Sequence, residues 1–192
     1  MFRKISLLTL MSFFYLSLVS QKFSKNDLIL LQKLYGIALD SFVEKKPSHF
    51  VLLDSSENAA IKEFNFSHLA NDSHLDSSWA NFLILADLKK GLLQKIKFGK
   101  IKTIHTVRYF NKDTILKIQR QNHDVGSGIV PPYGWVDGVM TASTPIFSTK
   151  KDKAIIEISY TRDDLDGKGG IFLLEKRDGK WMIVQFLRTW VS

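Results

Sequence analysis

No cysteine occurs among the 192 residues. Its absence excludes disulfides, zinc–thiolate centres, thiol nucleophiles and a lipidated cysteine behind an export leader. Past position 20 there is no apolar run long enough to cross a bilayer, so the rest of the chain is expected to be water-soluble. Common catalytic signatures are missing as well. No Gly-x-Ser-x-Gly elbow and no His-Glu-x-x-His pair is present. Gly126-x-Gly128 and Gly167-x-Gly169 lack the strand before and helix after that a phosphate loop needs. No cofactor is expected. With 45% hydrophobic and 24% charged residues, what is present suits a folded domain with a real core.

Residues 1–20 read as an export signal. Arg3 and Lys4 form a positive start, and Ile5 to Val19 an apolar stretch interrupted only by Ser and Thr. Gln21, Lys22, Ser24, Lys25 and Asn26 follow at once, as a mature N-terminus would. Cleavage after Ser20 would put Leu18, not a small residue, at the third position back, so a membrane tether through an uncleaved leader stays open. The expected address is export, periplasmic or secreted, with residues 21–192 as a single α+β domain.

The chain has 27 basic and 19 acidic residues; removing Arg3 and Lys4 leaves 25 against 19, a net of +6. Much of the excess lies in Lys89, Lys90, Lys95, Lys97, Lys100 and Lys102, continued by Arg108, Lys112, Lys117 and Arg120. Such a stripe could meet anionic lipid, polysaccharide or nucleic acid, or be an ordinary solvated face. Export and the lack of interleaved aromatics argue against nucleic acid.

Leu28, Leu31, Leu34, Tyr35, Ala38 and Phe42 recur at helical spacing, which predicts a helix over 26–43 capped by Asn26 and stopped by Lys45, Lys46 and Pro47. Phe50 to Leu53 predicts a short strand, and 57–76 a loop with brief helical pieces at most. Asp76, Ser77 and Ser78 offer caps to a second helix carrying Trp79, Phe82, Leu83, Ala86 and Leu88. A strand is expected over 102–110. A short helix with Ile115, Leu116 and Ile118 follows, capped by Asn111 or Asp113, and then a Gly/Pro-rich loop over 122–138.

The C-terminal third predicts strands at 145–148 and 154–161, a turn over 163–170, and a hairpin of 171–176 with 181–191 about Asp178-Gly179. That register sets Leu174 against Ile183, Phe172 against Gln185 and Leu173 against Val184. Both hairpin faces are then apolar, so each needs cover unless one lines a cavity. The fold class that follows is α+β, with N-terminal helices packed on a curved antiparallel sheet that ends in a β-meander.

Several of these residues form a recognisable run: Pro145-Ile146-Phe147-Ser148, Lys153-Ala154-Ile155-Ile156, Gly167-Lys168-Gly169-Gly170-Ile171-Phe172-Leu173-Leu174-Glu175-Lys176, Asp178-Gly179-Lys180-Trp181 and Thr189-Trp190-Val191-Ser192. It resembles the C-terminal signature of a group of uncharacterised exported bacterial proteins, and Tyr133-Gly134-Trp135 looks like part of the same pattern. The resemblance implies a class and no reaction. An apolar strand, Asp-Gly-Lys-Trp and a second apolar strand are also similar to the last hairpin of NTF2-like cone domains.

Two candidate metal sites fail on spacing. Asp163, Asp164 and Asp166 before Gly167 suggest calcium, but an EF-hand alignment puts Arg162 at the first ligand position and Leu173 at the bidentate one. His68 and His74, with Asp72 and Asp76 nearby, lie six apart and so do not share a helical face. The aromatic residues Tyr133 and Trp135, between prolines and glycines, are candidate ligand anchors, as are Tyr160, Phe172 and Phe186 on the sheet. His105 with Tyr109, or Tyr160 beside Glu157, are candidate acid/base groups. Three functions stay open: a non-enzymatic exported binding or accessory domain for a small apolar ligand or a protein segment, a small cone-type enzyme, and an exported inhibitor or immunity-like interaction protein.

Overall fold

The fold is known from a computed structural model, which describes residues 23–43, 49–71, 75–122, 128–130, 134–163 and 166–192. The leader, Tyr133, Asp72, His74, Asp164 and the side chain of Trp135 lie outside the described residues. Helix α1 (Lys25–Phe42) is capped two residues ahead of the expected Asn26. Ser24 takes that role: its Oγ accepts the Asp27 amide at 3.2 Å, and Asp27 Oδ2 accepts the Ser24 amide at 2.8 Å. This reciprocal capping box satisfies two donors that a helix start otherwise leaves open. Lys151 Nζ lies 2.6 Å from Asp27 Oδ1, tying the helix start to a distant turn.

Strand β1 (His49–Leu53) is followed by α2 (Ala59–Glu63), a 3-10 turn (Phe66–Asn71) and α3 (Ser77–Lys90). Asp76 caps α3 by accepting the Ser78 amide at 2.8 Å. Next come β2 (Thr106–Phe110) and α4 (Lys112–Asn122), where Asn111 Oδ1 accepts the Thr114 amide at 2.7 Å. The Gly/Pro-rich stretch is not all loop. It holds a small antiparallel pair, β3 (Gly128–Val130) with β4 (Gly134–Val136), in which Ile129 pairs with Trp135. It then runs directly into β5 (Gly138–Ala142). The remaining strands are β6 (Ile146–Phe147), β7 (Lys153–Asp163), β8 (Asp166–Arg177) and β9 (Lys180–Val191).

The main sheet runs β2-β1-β5-β7-β8-β9, with β6 also paired to β7. The architecture is mixed α+β around a mostly antiparallel open sheet. Its first half departs from the expected antiparallel order, because β1 is parallel to both β2 and β5. The connections explain this. Each link between parallel neighbours contains at least one helix, which gives the chain the length to cross back over the sheet.

Both faces of the sheet are apolar and both are covered. On one face Phe50, Leu52, Met140, Ile156, Ile158, Phe172 and Leu174 meet Leu31, Leu34, Tyr35, Ala38 and Phe42 of α1. On the other, Ile155, Ile171 and Leu173 meet Trp79, Phe82, Leu83 and Ala86 of α3. Val51, Leu53 and Phe110 on that second face meet Ile115 and Ile118 of α4. Full burial of a side chain of this size contributes about 1.5–3 kcal/mol, so two covered faces hold the sheet from both sides. Leu88 and Leu116, expected among the buried positions, are exposed. No helix among the described residues is long and apolar enough to cross a membrane.

The β8–β9 hairpin turns at Asp178 (φ 49°) and Gly179 (φ 77°), both left-handed as a type I′ turn requires. Leu174 faces Ile183 as expected, but the ladder then shifts: Leu173 meets Gln185 and Phe172 meets Phe186. The bulge skips Val184 and brings Phe186 to the α1 face in place of the polar Gln185. The run 163–170 is also corrected. Gly167, Gly169 and Gly170 are in β8 itself, paired with Thr161, Ser159 and Ile158, not in a turn. A Cβ on Gly169 would fall 2.0 Å from Trp190 Nε1, and one on Gly170 would fall 2.1 Å from Phe186 Cε2. Aromatic rings from β9 occupy the space that side chains would need.

Candidate functional site

A recess of about 840 Å³ lies between α1, the irregular segment 98–103 and edge strand β2. A glycine makes this crossing possible. A Cβ on Gly36 would sit 2.1 Å from the Lys102 carbonyl oxygen, so a larger residue would push the 98–103 backbone off α1. Asp40, one turn further on, fixes the far end of the segment by accepting from Thr103 Oγ1 and from the Ile104 amide at 3.1 Å. Tyr109 then ties the segment to β2: its hydroxyl accepts the Ile101 amide at 2.7 Å. The result is an arch with a groove beneath it.

The groove walls are mostly apolar. Phe98 packs edge-on against Tyr35 at 4.8 Å, Ile101 is buried, and Val107 and Tyr109 look in from β2. Lys100 and Lys102 line the groove and are exposed, and among the described residues neither makes an ion pair. The cavity lies within the ~300–1,000 Å³ range typical of small-molecule sites. Apolar walls with a few polar groups at the margin are what such sites usually offer.

His105 and Tyr109, singled out together as acid/base candidates, line this same groove. The His105 side chain is only 1% exposed, with Nε2 3.9 Å from Asp40 Oδ1 and the ring edge-on to Phe50 at 5.3 Å. Burial pushes its pKa below the usual imidazole value, while the Asp40 charge pulls it up. Burial raises the Tyr109 pKa above the usual phenol value, with the Ile101 hydrogen bond acting the other way.

The aromatic candidates are elsewhere. Tyr160 lines a separate recess of about 290 Å³ with Val43, Phe50, Asp137, Arg162, Asp166 and Lys168. Its hydroxyl donates to the Asp137 carbonyl at 2.6 Å, and burial raises its pKa while Arg162 lowers it. Phe50 stands between the two recesses, edge-on to Tyr160 at 5.6 Å and to His105 on its other side. Phe172 is buried in the α1 core, and Phe186, 40% exposed, packs on it at 4.8 Å. Neither lines a recess described above. Trp135 contributes its backbone to β4, and Tyr133 falls outside the described residues.

Glu157, mentioned beside Tyr160 in the sequence, points to the opposite face. It is 2% exposed, its Oε1 has no hydrogen-bond partner among the described residues, and burial raises its pKa to about 7, against a lowering by Ser159. In the acidic run Asp166 lies 3.3 Å from Arg162 Nη1, and His68 of the histidine candidate has Nε2 3.1 Å from Asn65 Nδ2.

Sequence reasoning passed over Phe98, Ile101 and Val107, and placed Lys100 and Lys102 in a general basic stripe. The usable signal was Gly36, an unexpected residue inside a strongly periodic helix, where glycine without a packing reason costs roughly 1 kcal/mol. No known protein family matches this chain, and comparisons with curated proteins and with solved structures find no match either.

Proposed function

We propose that the chain is an exported, non-enzymatic binding domain whose site is the groove between α1, the 98–103 segment and β2. The observation that carries this reading is a recess of about 840 Å³ with mostly apolar walls, held open by hydrogen bonds at Asp40 and Tyr109. Binding is favoured over proton transfer because the His105 ring is buried against Phe50 and the Tyr109 hydroxyl is engaged in supporting the arch. Export is supported by Arg3 and Lys4 ahead of the apolar stretch Ile5 to Val19.

The likeness to NTF2-like cone domains and to exported bacterial proteins belongs to the same proposal. Its support is α1 laid across the antiparallel run β5-β7-β8-β9 and the turn at Asp178-Gly179. Uptake of an environment-sensitive apolar dye tests the binding reading. The wild-type chain is expected to enhance the dye's emission, and Val107→Trp, which fills the groove from β2, is expected to lose most of that enhancement. Equal emission from both proteins would place the site elsewhere.

A further inference from the structure

We infer that the occupant of the groove is an amphipathic anion of the single-chain carboxylate type, its tail against Phe98, Ile101 and Val107 and its carboxylate at Lys100 and Lys102. The inference rests on the binding reading above and adds the ligand's charge and polarity. Three observations lead to it. First, the apolar wall is continuous with the α1 core through Phe98, which meets Tyr35, so the tail would lie on side chains already fixed in place. Second, Lys100 and Lys102 flank the buried Ile101 along the 98–103 segment, and all three line the groove, so two ammonium groups stand beside its apolar wall.

Third, the nearby carboxylate is already engaged. Asp40 takes hydrogen bonds from Thr103 and from the Ile104 amide, and it makes no ion pair with Lys100 or Lys102. Two cations beside an apolar recess, neither of them ion-paired among the described residues, favour an anionic head group and disfavour a cationic one. A carboxylate at the margin would keep its charge partly in water while each ammonium supplies a charge-assisted hydrogen bond. An uncharged head would leave that interaction unused.

The test is displacement of the apolar dye from the full chain by three probes of equal tail length: n-dodecanoate, n-dodecanol and dodecyltrimethylammonium, each below its micelle concentration. Expected is dodecanoate binding about tenfold or more tighter than dodecanol, with the cation weakest. Lys100→Glu with Lys102→Glu should remove that preference for the carboxylate, so that dodecanoate displaces the dye no better than dodecanol. Both lysines are exposed, so the fold should tolerate the pair, and the wild-type probe series stands independently of the variant. Added salt should weaken dodecanoate and not dodecanol. Equal displacement by dodecanoate and dodecanol, or tighter binding of the cation, overturns the ligand's charge and leaves the groove as a site. Failure of Val107→Trp to reduce dye uptake overturns the groove and this inference with it.

Discussion

The Tyr109 hydroxyl accepts the Ile101 amide at 2.7 Å, and this single bond joins an irregular segment to the outermost strand of the sheet. Ile101 contributes its side chain to the core that surrounds α1, so the bond also fixes where that side chain enters. Tyr109→Phe removes the acceptor and leaves a part-buried amide unpaired, which costs about 1–3 kcal/mol. The expected result is a lower unfolding midpoint together with faster hydrogen exchange at Ile101 than at the β1 amides. Unchanged exchange at Ile101 would mean that the arch stands without the tyrosine.

Gly36→Ala is expected to destabilise the protein even though alanine is the better helix former by roughly 1 kcal/mol. The added Cβ would lie 2.1 Å from a backbone oxygen, and backbone does not swing aside as a side-chain tip does. Overpacking of this kind costs typically 1–3 kcal/mol. Thermal melts of the two proteins decide the sign; a stabilised Gly36→Ala would show that the 98–103 segment lifts freely from α1.

Glu157 gives the stability a pH dependence. Its pKa of about 7 in the folded protein exceeds the ordinary 4.5, so between those values the folded state holds a proton that the unfolded chain has released. The stabilisation is complete below pH 4.5 and is lost as the pH rises through 7, on the order of 3 kcal/mol in total. Glu157→Gln should therefore gain stability on wild type between pH 5 and 8, as read from urea midpoints at each pH. His105 contributes with the opposite slope. Its lowered pKa favours the neutral ring, so that contribution is present above the ordinary imidazole value and falls away on acidification. Parallel wild-type and Glu157→Gln curves over the range would rule out a titrating Glu157.

Much of the fold was legible because it rests on local periodicity. Leu31, Leu34, Tyr35 and Ala38 announce α1, Trp79, Phe82 and Leu83 announce α3, and Asp178-Gly179 announces its turn. What escaped depends on partners far along the chain. Gly169 and Gly170 read as a turn until Trp190 and Phe186 are laid over them, and the parallel pairing of β1 requires two crossovers that no short window contains. The groove escaped for the same reason: Gly36 and Lys102 are brought together only by the tertiary fold. His105 and Tyr109 were found as a pair because they share one strand-like stretch, whereas Phe98 and Ile101 carry no repeating pattern. Phe172 was legible as a sheet residue, but not as one sealed beneath Phe42 and Phe186.

The two register shifts in β9 also govern how the molecule meets its own kind. β9 ends the sheet, and an uninterrupted strand of that length would offer its open amides and carbonyls to any neighbouring chain. The shifts fall between the partners Leu173/Leu174 and Gly169/Gly170, dividing the edge into stretches of four paired residues or fewer. A second polypeptide zipping along it loses step at Val184 and again at Thr189. The same irregularity that brings Phe186 over Gly170 thus guards a long, partly apolar rim against fibrous self-association.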